Sequence, residues 1–132
     1  HPYLTDFGLA RDLTEATRLT RTDQAVGTPA FMAPEQLRGR APEPRMDVYG
    51  LGATLYEALV GRVPFEGDSF PDLLRQVLLD EPAPPRLVNP RVARDLEAIV
   101  LMCLEKDPAR RYPNAAALAQ DLRLPLIAAP ML

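Results

Sequence analysis

The chain has 132 residues, of which 47% are hydrophobic and 25% charged, and its formal net charge at pH 7 is -3. This length and composition predict one soluble globular domain, or part of one, rather than a disordered or fibrous chain. The slightly acidic balance argues against a nucleic-acid partner, and no stretch reaches the roughly 20 apolar residues that a membrane helix needs. The single cysteine, Cys103, lies in an apolar run, which favours a buried thiol in a reducing compartment and excludes a disulfide framework.

The N-terminal part is predicted to be a strand followed by a long loop. Residues 3–5 are a short β-branched and aromatic run, and we expect the strand to end where Gly8 permits a sharp change of direction. Residues 11–28 show no clean period and are rich in Thr, Arg and Asp. This pattern is typical of a polar loop that is either functional or disordered.

A short helix and then a long one are predicted next. The short helix opens at residues 33–37 with a proline in its first turn and stops near Gly39. The long helix runs from Asp47, in the capping position, to Gly61. Its apolar residues cover most of its circumference, so we expect burial on nearly every side. Gly50 and Gly52 lower helix stability by about 1 kcal/mol each, which indicates close packing of another backbone against them.

Three further helices are predicted in the second half. The first starts at Ser69 and continues to about Asp80, and a proline-rich connection that follows is expected to be extended. The second spans residues 92–104. The third is capped by Asn114 and fades by Leu124, after which residues 125–132 are predicted to be a tail or linker.

Several short motifs, taken in order, resemble those of the protein kinase family. Asp6-Phe7-Gly8 resembles the magnesium-binding motif, Gly27-Thr28-Pro29 the substrate-facing loop, and Ala33-Pro34-Glu35 the close of the activation segment. Asp47 and Arg111 fall where the helical lobe of that family has an Asp and an Arg. One tripeptide alone is weak evidence, whereas the ordered set is strong.

The resemblance implies a mainly α fold over residues 1–124. We expect an incomplete helical C-terminal lobe of a protein-kinase-like fold, with a short N-terminal strand and the activation segment. It also implies ATP and Mg²⁺ as cofactors, with Asp6 as the metal ligand and Phe7 and Gly8 shaping the turn that carries it. The alternative for Asp6 is an ordinary turn-forming residue before a glycine.

The resemblance assigns the acceptor specificity to Thr28. The matching Thr of the family bonds the catalytic Asp and shapes the seat of the accepting residue, and the residues around Thr28 point to Ser or Thr as the acceptor. The alternative is a plain Gly-Thr-Pro turn. Thr20 and Thr22, in the polar loop, are candidates for activating phosphorylation, by resemblance to bacterial kinases that phosphorylate themselves. A solvated Thr-rich loop is the alternative.

Three residues are implied to have architectural roles. Glu35 and Arg111 are expected to form a bidentate ion pair that fastens the activation segment to the lobe, and the alternative is two solvated surface charges. Asp47 is expected to cap its helix and to accept backbone hydrogen bonds from the catalytic loop.

Other parts of a working kinase are not found in the sequence. No Gly-x-Gly-x-x-Gly occurs, the only lysine is Lys106, and the only histidine is His1, so we expect the catalytic Asp to lie upstream of His1. The chain alone is therefore predicted to be inactive. The parent is predicted to transfer the γ-phosphate of ATP to Ser or Thr of protein substrates; the alternatives are a degenerate kinase that serves as a scaffolding module, and a helical adaptor outside the family.

The remaining expectations concern source, location and partners. The start at His1 favours an incomplete reading frame. The strong preference for Arg over Lys favours a GC-rich, bacterial source. We expect a cytoplasmic kinase domain, in a parent with or without a membrane anchor outside this chain, with protein substrates and a self-phosphorylation partner.

Overall fold

The computed structural model describes residues 29–128, and the regular secondary structure within them is helical. We label the α-helices α1 to α6; they span Pro34–Leu37, Pro44–Val60, Phe70–Leu79, Pro85–Val88, Arg94–Cys103 and Ala115–Ala128, and 3₁₀ turns span Pro29–Phe31 and Pro108–Arg110. The predicted mainly α fold is confirmed. The predicted strand at residues 3–5 and the polar loop at residues 11–28 lie outside the described residues.

The central helix, α2, begins four residues earlier than the sequence predicted, since its N-cap is residue 43 and not residue 47. Glu43 is its N-cap, with extended backbone, and its side chain accepts a hydrogen bond from the backbone N–H of Arg45 at 2.7 Å. Pro44 occupies the first helical position, where a fixed φ and a missing N–H suit a proline. The prediction that Asp47 caps this helix is therefore wrong, because Asp47 lies inside the first turn. The predicted end is confirmed, since Gly61 closes the helix with a φ of 90°.

One side of α2 forms the centre of the fold. Tyr49, Ala53 and Tyr56 on this helix are buried and pack with Val100 and Leu104 at the C-terminal end of α5. Where the two helices cross, a Cβ added to Gly52 would overlap with the Cβ of Cys103. The glycine therefore sets how closely α5 approaches, as the sequence predicted for this position.

The opposite side of α2 is more exposed than predicted. Leu51 is 44% exposed, and Thr54, Glu57 and Ala58 are also exposed. The expectation of burial on nearly every side is not met within residues 29–128, because the helices described here pack against one side only.

Helix α3 packs against the first 3₁₀ turn, Pro29–Phe31, and against α1. Ser69 is its N-cap and accepts a hydrogen bond from the backbone N–H of Asp72, so the predicted start is confirmed. The buried face of α3 joins a cluster that includes the first 3₁₀ turn and the end of α1; its buried members are Ala30, Met32, Leu37, Phe65, Leu73 and Val77.

The sequence predicted an extended proline-rich stretch, but the structure shows that this stretch contains the short helix α4. Pro85 takes the first helical position, where proline is tolerated. The Tyr56 hydroxyl donates to the carbonyl oxygen of Ala83 at 2.8 Å, and the Asn89 side chain donates to the carbonyl oxygen of Leu59 at 2.9 Å. Both bonds tie this stretch to the C-terminal half of α2.

The last two helices, α5 and α6, form a further buried cluster beside α2. Asn114 accepts a hydrogen bond from the backbone N–H of Ala117 at 2.9 Å, which confirms its predicted capping role for α6. Leu118 and Cys103 lie in one buried cluster beside α2. Helix α6 continues to Ala128, beyond Leu124, where the sequence predicted that it fades. Among the helices described, none combines the length and the hydropathy that a membrane crossing requires.

Candidate functional site

Glu35 is held inside the lobe by the short helix α1. Pro34 starts this helix, and the Gln36 side chain accepts a hydrogen bond from the backbone N–H of Ala33 at 3.3 Å. Gly39, with a φ of 83°, then turns the chain back so that the backbone N–H of Arg40 reaches the carbonyl oxygen of Glu35 at 3.0 Å. These bonds fix the backbone on both sides of Glu35, a residue that is 7% exposed.

Arg111 reaches the same place from the far end of the chain. Asp107 accepts a hydrogen bond from the backbone N–H of Ala109 at 3.0 Å and so caps the 3₁₀ turn Pro108–Arg110. Arg111 follows this turn in extended conformation, and its residue is 3% exposed. The turn that Asp107 caps therefore places the Arg111 side chain in the core.

The two side chains form a bidentate, buried ion pair. Nη1 of Arg111 donates to Oε2 of Glu35 at 2.6 Å, and Nη2 donates to Oε1 at 2.8 Å. The planar guanidinium matches the carboxylate in this geometry, which a lysine would not. The structure therefore brings together the two residues that the resemblance had paired.

Every N–H of the Arg111 guanidinium has an acceptor. Besides the two bonds to Glu35, Nε donates to the carbonyl oxygen of Glu105 at 2.6 Å, Nη1 to that of Arg45 at 3.1 Å, and Nη2 to that of Lys106 at 3.3 Å. An arginine has five such hydrogens, and five bonds are made. The buried guanidinium thus joins three parts of the fold: helix α1, the first turn of α2, and the segment that follows α5.

Tyr49 lies beneath this pair. The Arg111 Cζ atom is 5.1 Å from the centroid of the Tyr49 ring, which is within cation-π range. Burial raises the pKa of the Tyr49 hydroxyl, and the nearby Arg111 charge opposes that shift. Among residues 29–128 the hydroxyl has no hydrogen-bond partner. Sequence reasoning missed this contact, because the helical pattern of α2 marks Tyr49 only as a core residue.

Asp47 lies on the exposed surface of α2, about one turn from its start. Partial desolvation, and after it the neighbouring Glu43 carboxylate, raise the pKa of Asp47. An exposed carboxylate near a helix N-terminus is favoured by the helix dipole and can accept hydrogen bonds from backbone N–H groups. Its second predicted role, toward the catalytic loop, stays a prediction.

The other predicted site residues lie outside the described part of the chain. These are Asp6, Phe7, Gly8, Thr20, Thr22 and Thr28. Between residues 29 and 128, no three side chains of the metal-ligating types stand together, so no magnesium site is assigned there and Asp6 stays the candidate ligand.

The segment that follows Thr28 is nevertheless described. Pro29–Phe31 forms a 3₁₀ turn with Pro29 and Ala30 buried, and the backbone N–H of Met32 donates to the carbonyl oxygen of Pro29 at 3.1 Å. Helix α3 packs directly against this turn. The end of the predicted substrate loop therefore rests on α3 on one side and leads into the Glu35 helix on the other.

Comparison with known proteins agrees with this arrangement. The sequence matches the family model described as "Protein kinase domain" over residues 1–122. It is 42% identical to the serine/threonine-protein kinase PknB of Mycobacterium leprae over 89% of this chain and 19% of the relative. It is 46% identical to the serine/threonine-protein kinase PkaA of Streptomyces coelicolor over 94% of this chain and 22% of the relative.

A third relative has the same extent of similarity. A probable serine/threonine-protein kinase of Corynebacterium efficiens is 42% identical over 90% of this chain and 19% of the relative. The chain thus spans about a fifth of the length of the curated relatives it matches. Since the family model covers nearly all of its residues, the chain belongs to the protein kinase domain family.

Proposed function

We propose that this chain is part of a serine/threonine protein kinase that transfers the γ-phosphate of ATP to hydroxyl groups of protein substrates. The observation that carries the proposal is the buried, bidentate Arg111–Glu35 pair, which fixes the chain directly after the predicted substrate loop. The ordered motifs and the family membership also support it.

The chain's own contribution to such a reaction is to present and hold the acceptor. Phosphoryl transfer depends mainly on positioning and on electrostatic stabilisation. Thr28 is the residue proposed to shape the seat of the accepting hydroxyl, and the 3₁₀ turn Pro29–Phe31, in which Pro29 and Ala30 are buried, follows it directly in the chain. The reaction forms a bond between the acceptor oxygen and the γ-phosphorus and breaks the bond to ADP. A carboxylate base of the whole kinase is proposed to take the proton of the accepting hydroxyl.

Asp6 is the residue proposed to hold the metal. Mg²⁺ bound with ATP supplies neutralisation of charge on the phosphate oxygens. A carboxylate is a suitable ligand for this hard cation, which takes one or two such groups together with phosphates and water. Thr20 and Thr22 are proposed as sites of activating self-phosphorylation, since a phosphate among arginines can order a loop.

The test uses the full-length protein that contains this chain. Purified protein is incubated with γ-labelled ATP, Mg²⁺ and myelin basic protein, and transferred label is measured. We expect Asp6→Asn to abolish transfer and Thr28→Ala to lower it strongly, while Thr28→Ser retains a substantial part because it keeps the hydroxyl. Wild-type transfer no greater than that of Asp6→Asn would refute the proposal and favour a non-catalytic scaffolding role.

Peptide mapping of the active protein tests the self-phosphorylation sites. Phosphate on Thr20 or Thr22 is the expected result. An active protein with residues 11–28 unmodified would show that activation does not use this loop.

A further inference from the structure

Lys106, the only lysine of the chain, makes two contacts that its position in the sequence does not indicate. Its ammonium Nζ donates to the carbonyl oxygen of Val77 at 2.7 Å, and it lies 4.8 Å from the centroid of the Phe65 ring. The donor and acceptor are 29 positions apart. The side chain is partly buried.

The first contact completes the C-terminal end of α3. The last carbonyl groups of a helix have no partner within it, and they carry the negative end of the helix dipole. Val77 lies in the last turn of α3, which ends at Leu79. An ammonium there both donates to an orphan carbonyl and neutralises the dipole, so it acts as a side-chain cap supplied by another part of the fold.

The second contact holds the ammonium over an apolar cluster. Phe65 and Val77 are both buried and both belong to the cluster that includes Ala30 and Met32. Burial lowers the pKa of Lys106, and the carboxylates of Glu81 and then Asp80 act in the opposite sense. The desolvation of this charge is thus compensated by a carbonyl, by an aromatic face and by nearby acidic groups.

The backbone that presents Lys106 is itself anchored. Arg111 donates to the carbonyl oxygens of both Glu105 and Lys106, at 2.6 Å and 3.3 Å. The same guanidinium holds Glu35. A continuous set of contacts therefore runs from the Glu35 helix through Arg111 and Lys106 to the end of α3.

We propose that Lys106 is a positioning residue for protein-substrate binding, which acts as a clamp: it fastens the C-terminal end of α3 to the segment after α5 and so keeps this helix packed on the 3₁₀ turn Pro29–Phe31. This inference rests on the proposed function, because it supposes that the segment after Thr28 seats the acceptor. Helix α3 contacts that turn, and its buried Leu73 and Val77 share one apolar cluster with Ala30 of the turn. Loss of the clamp loosens the support behind the acceptor seat and leaves groups that bind nucleotide untouched.

The consequence is a selective effect on the protein acceptor. Lys106→Met removes the charged donor at the end of α3, and we expect it to raise the KM for the acceptor severalfold, with about 10-fold as the upper limit if the whole contribution of the bond is transmitted to acceptor binding. We expect the KM for ATP to change by less than about 2-fold, since the described contacts of the Lys106 ammonium, with Val77 and Phe65, include no residue proposed to bind nucleotide. Lys106→Arg keeps a charged donor and restores most of the loss. Phe65→Leu removes the aromatic face and gives a smaller increase.

The test combines kinetics with hydrogen exchange on the full-length protein. Acceptor and ATP are varied separately with myelin basic protein as acceptor, for wild type, Lys106→Met, Lys106→Arg and the control Arg110→Met, which removes an exposed charge four residues away. Amide exchange is measured by mass spectrometry in peptides covering residues 29–32 and 70–80, with α5 as the internal reference.

The exchange measurement separates failure of this inference from failure of the proposed function. Faster exchange of both peptides in Lys106→Met, with α5 unchanged, supports the clamp even if no acceptor is phosphorylated. Exchange equal to that of Arg110→Met would overturn the clamp. If the clamp is present but Lys106→Met leaves the acceptor KM at the wild-type value, or raises both KM values together, the positioning role is overturned.

Discussion

Replacement of Arg111 by alanine removes the one group that joins three separate parts of the fold. The change leaves the Glu35 carboxylate buried without a partner and removes the donors of three backbone carbonyl groups. Breaking one side of a buried ion pair costs about 3 to 5 kcal/mol. In a domain of roughly 150 to 250 residues each kcal/mol lowers the Tm by about 2 to 4 °C, so we expect a decrease of roughly 6 to 20 °C.

A double-mutant cycle assigns this loss to the pair itself. Thermal and urea unfolding of the full-length protein are compared for Arg111→Met, Glu35→Leu and the double variant, because two apolar side chains leave no charge unpaired. We expect the double variant to be more stable than the sum of the single effects predicts, by at least about 1 kcal/mol. Arg111→Lys keeps the charge without the fork and should fall between wild type and Arg111→Ala.

The control is Arg110→Ala, at the neighbouring exposed arginine. It should shift the Tm by no more than about 1 to 2 °C, since surface substitutions usually change stability by less than 0.5 kcal/mol. Equal effects of the two alanine variants, or strictly additive single effects in the cycle, would refute the account of a buried pair.

Three other predictions concern the core. Gly52→Ala should destabilise the protein by about 1 to 3 kcal/mol, because the added Cβ overlaps with Cys103. Gly50→Ala should be neutral or stabilising, because its Cβ would meet only the Phe31 carbonyl oxygen, at 3.4 Å. In urea unfolding, Gly52→Ala should cost less in a Cys103→Gly background than in the wild-type protein, because the overlapping Cβ is then absent. Tyr49→Phe should leave the free energy of unfolding unchanged or raise it slightly, because the Tyr49 hydroxyl has no hydrogen-bond partner among residues 29–128. Tyr56→Phe should lower the free energy of unfolding by about 1 kcal/mol, because it removes the hydrogen bond to the Ala83 carbonyl oxygen. Similar losses of stability in the two variants would contradict this. Burial raises the pKa of the Cys103 thiol from 9.0 to about 12, so the unfolded chain releases this proton at a lower pH than the folded chain, and the stability of the fold decreases as the pH rises from about 9 to 12. Thiol reagents should label the native protein at pH 8 far more slowly than the unfolded protein. Equal labelling rates would place the thiol on the surface.

Local signals in the sequence were sufficient for most helix ends. Ser69, Asn114 and Gly61 are residue types whose short polar side chain or left-handed backbone favours a helix terminus, and the structure places them at termini. Asp47 misled the prediction because Asp is a stronger N-cap than Glu, while Pro44 at the first helical position was the better signal. The sequence did not predict the short helix at Pro85, because the closely spaced prolines of this stretch favour extended backbone, although Pro85 suits the first position of a helix.

Contacts between distant segments were beyond the reach of such patterns. Glu35 and Arg111 are 76 positions apart, and their pairing was expected only from the resemblance to a family. Lys106 gave no local signal at all, because its partners belong to a helix and a loop that folding brings beside it. The exposed side of α2 was not foreseen either, since composition gives the number of apolar residues in a helix and not which neighbours cover them.

The most direct test of the proposed kinase activity is the chemical identity of the phosphorylated product. The full-length protein is incubated with γ-labelled ATP, Mg²⁺ and myelin basic protein, the product is hydrolysed in acid, and the labelled amino acids are separated. We expect label in phosphoserine and phosphothreonine, and none in the product of Asp6→Asn. Label confined to phosphotyrosine, or no label in the wild-type product, would contradict it.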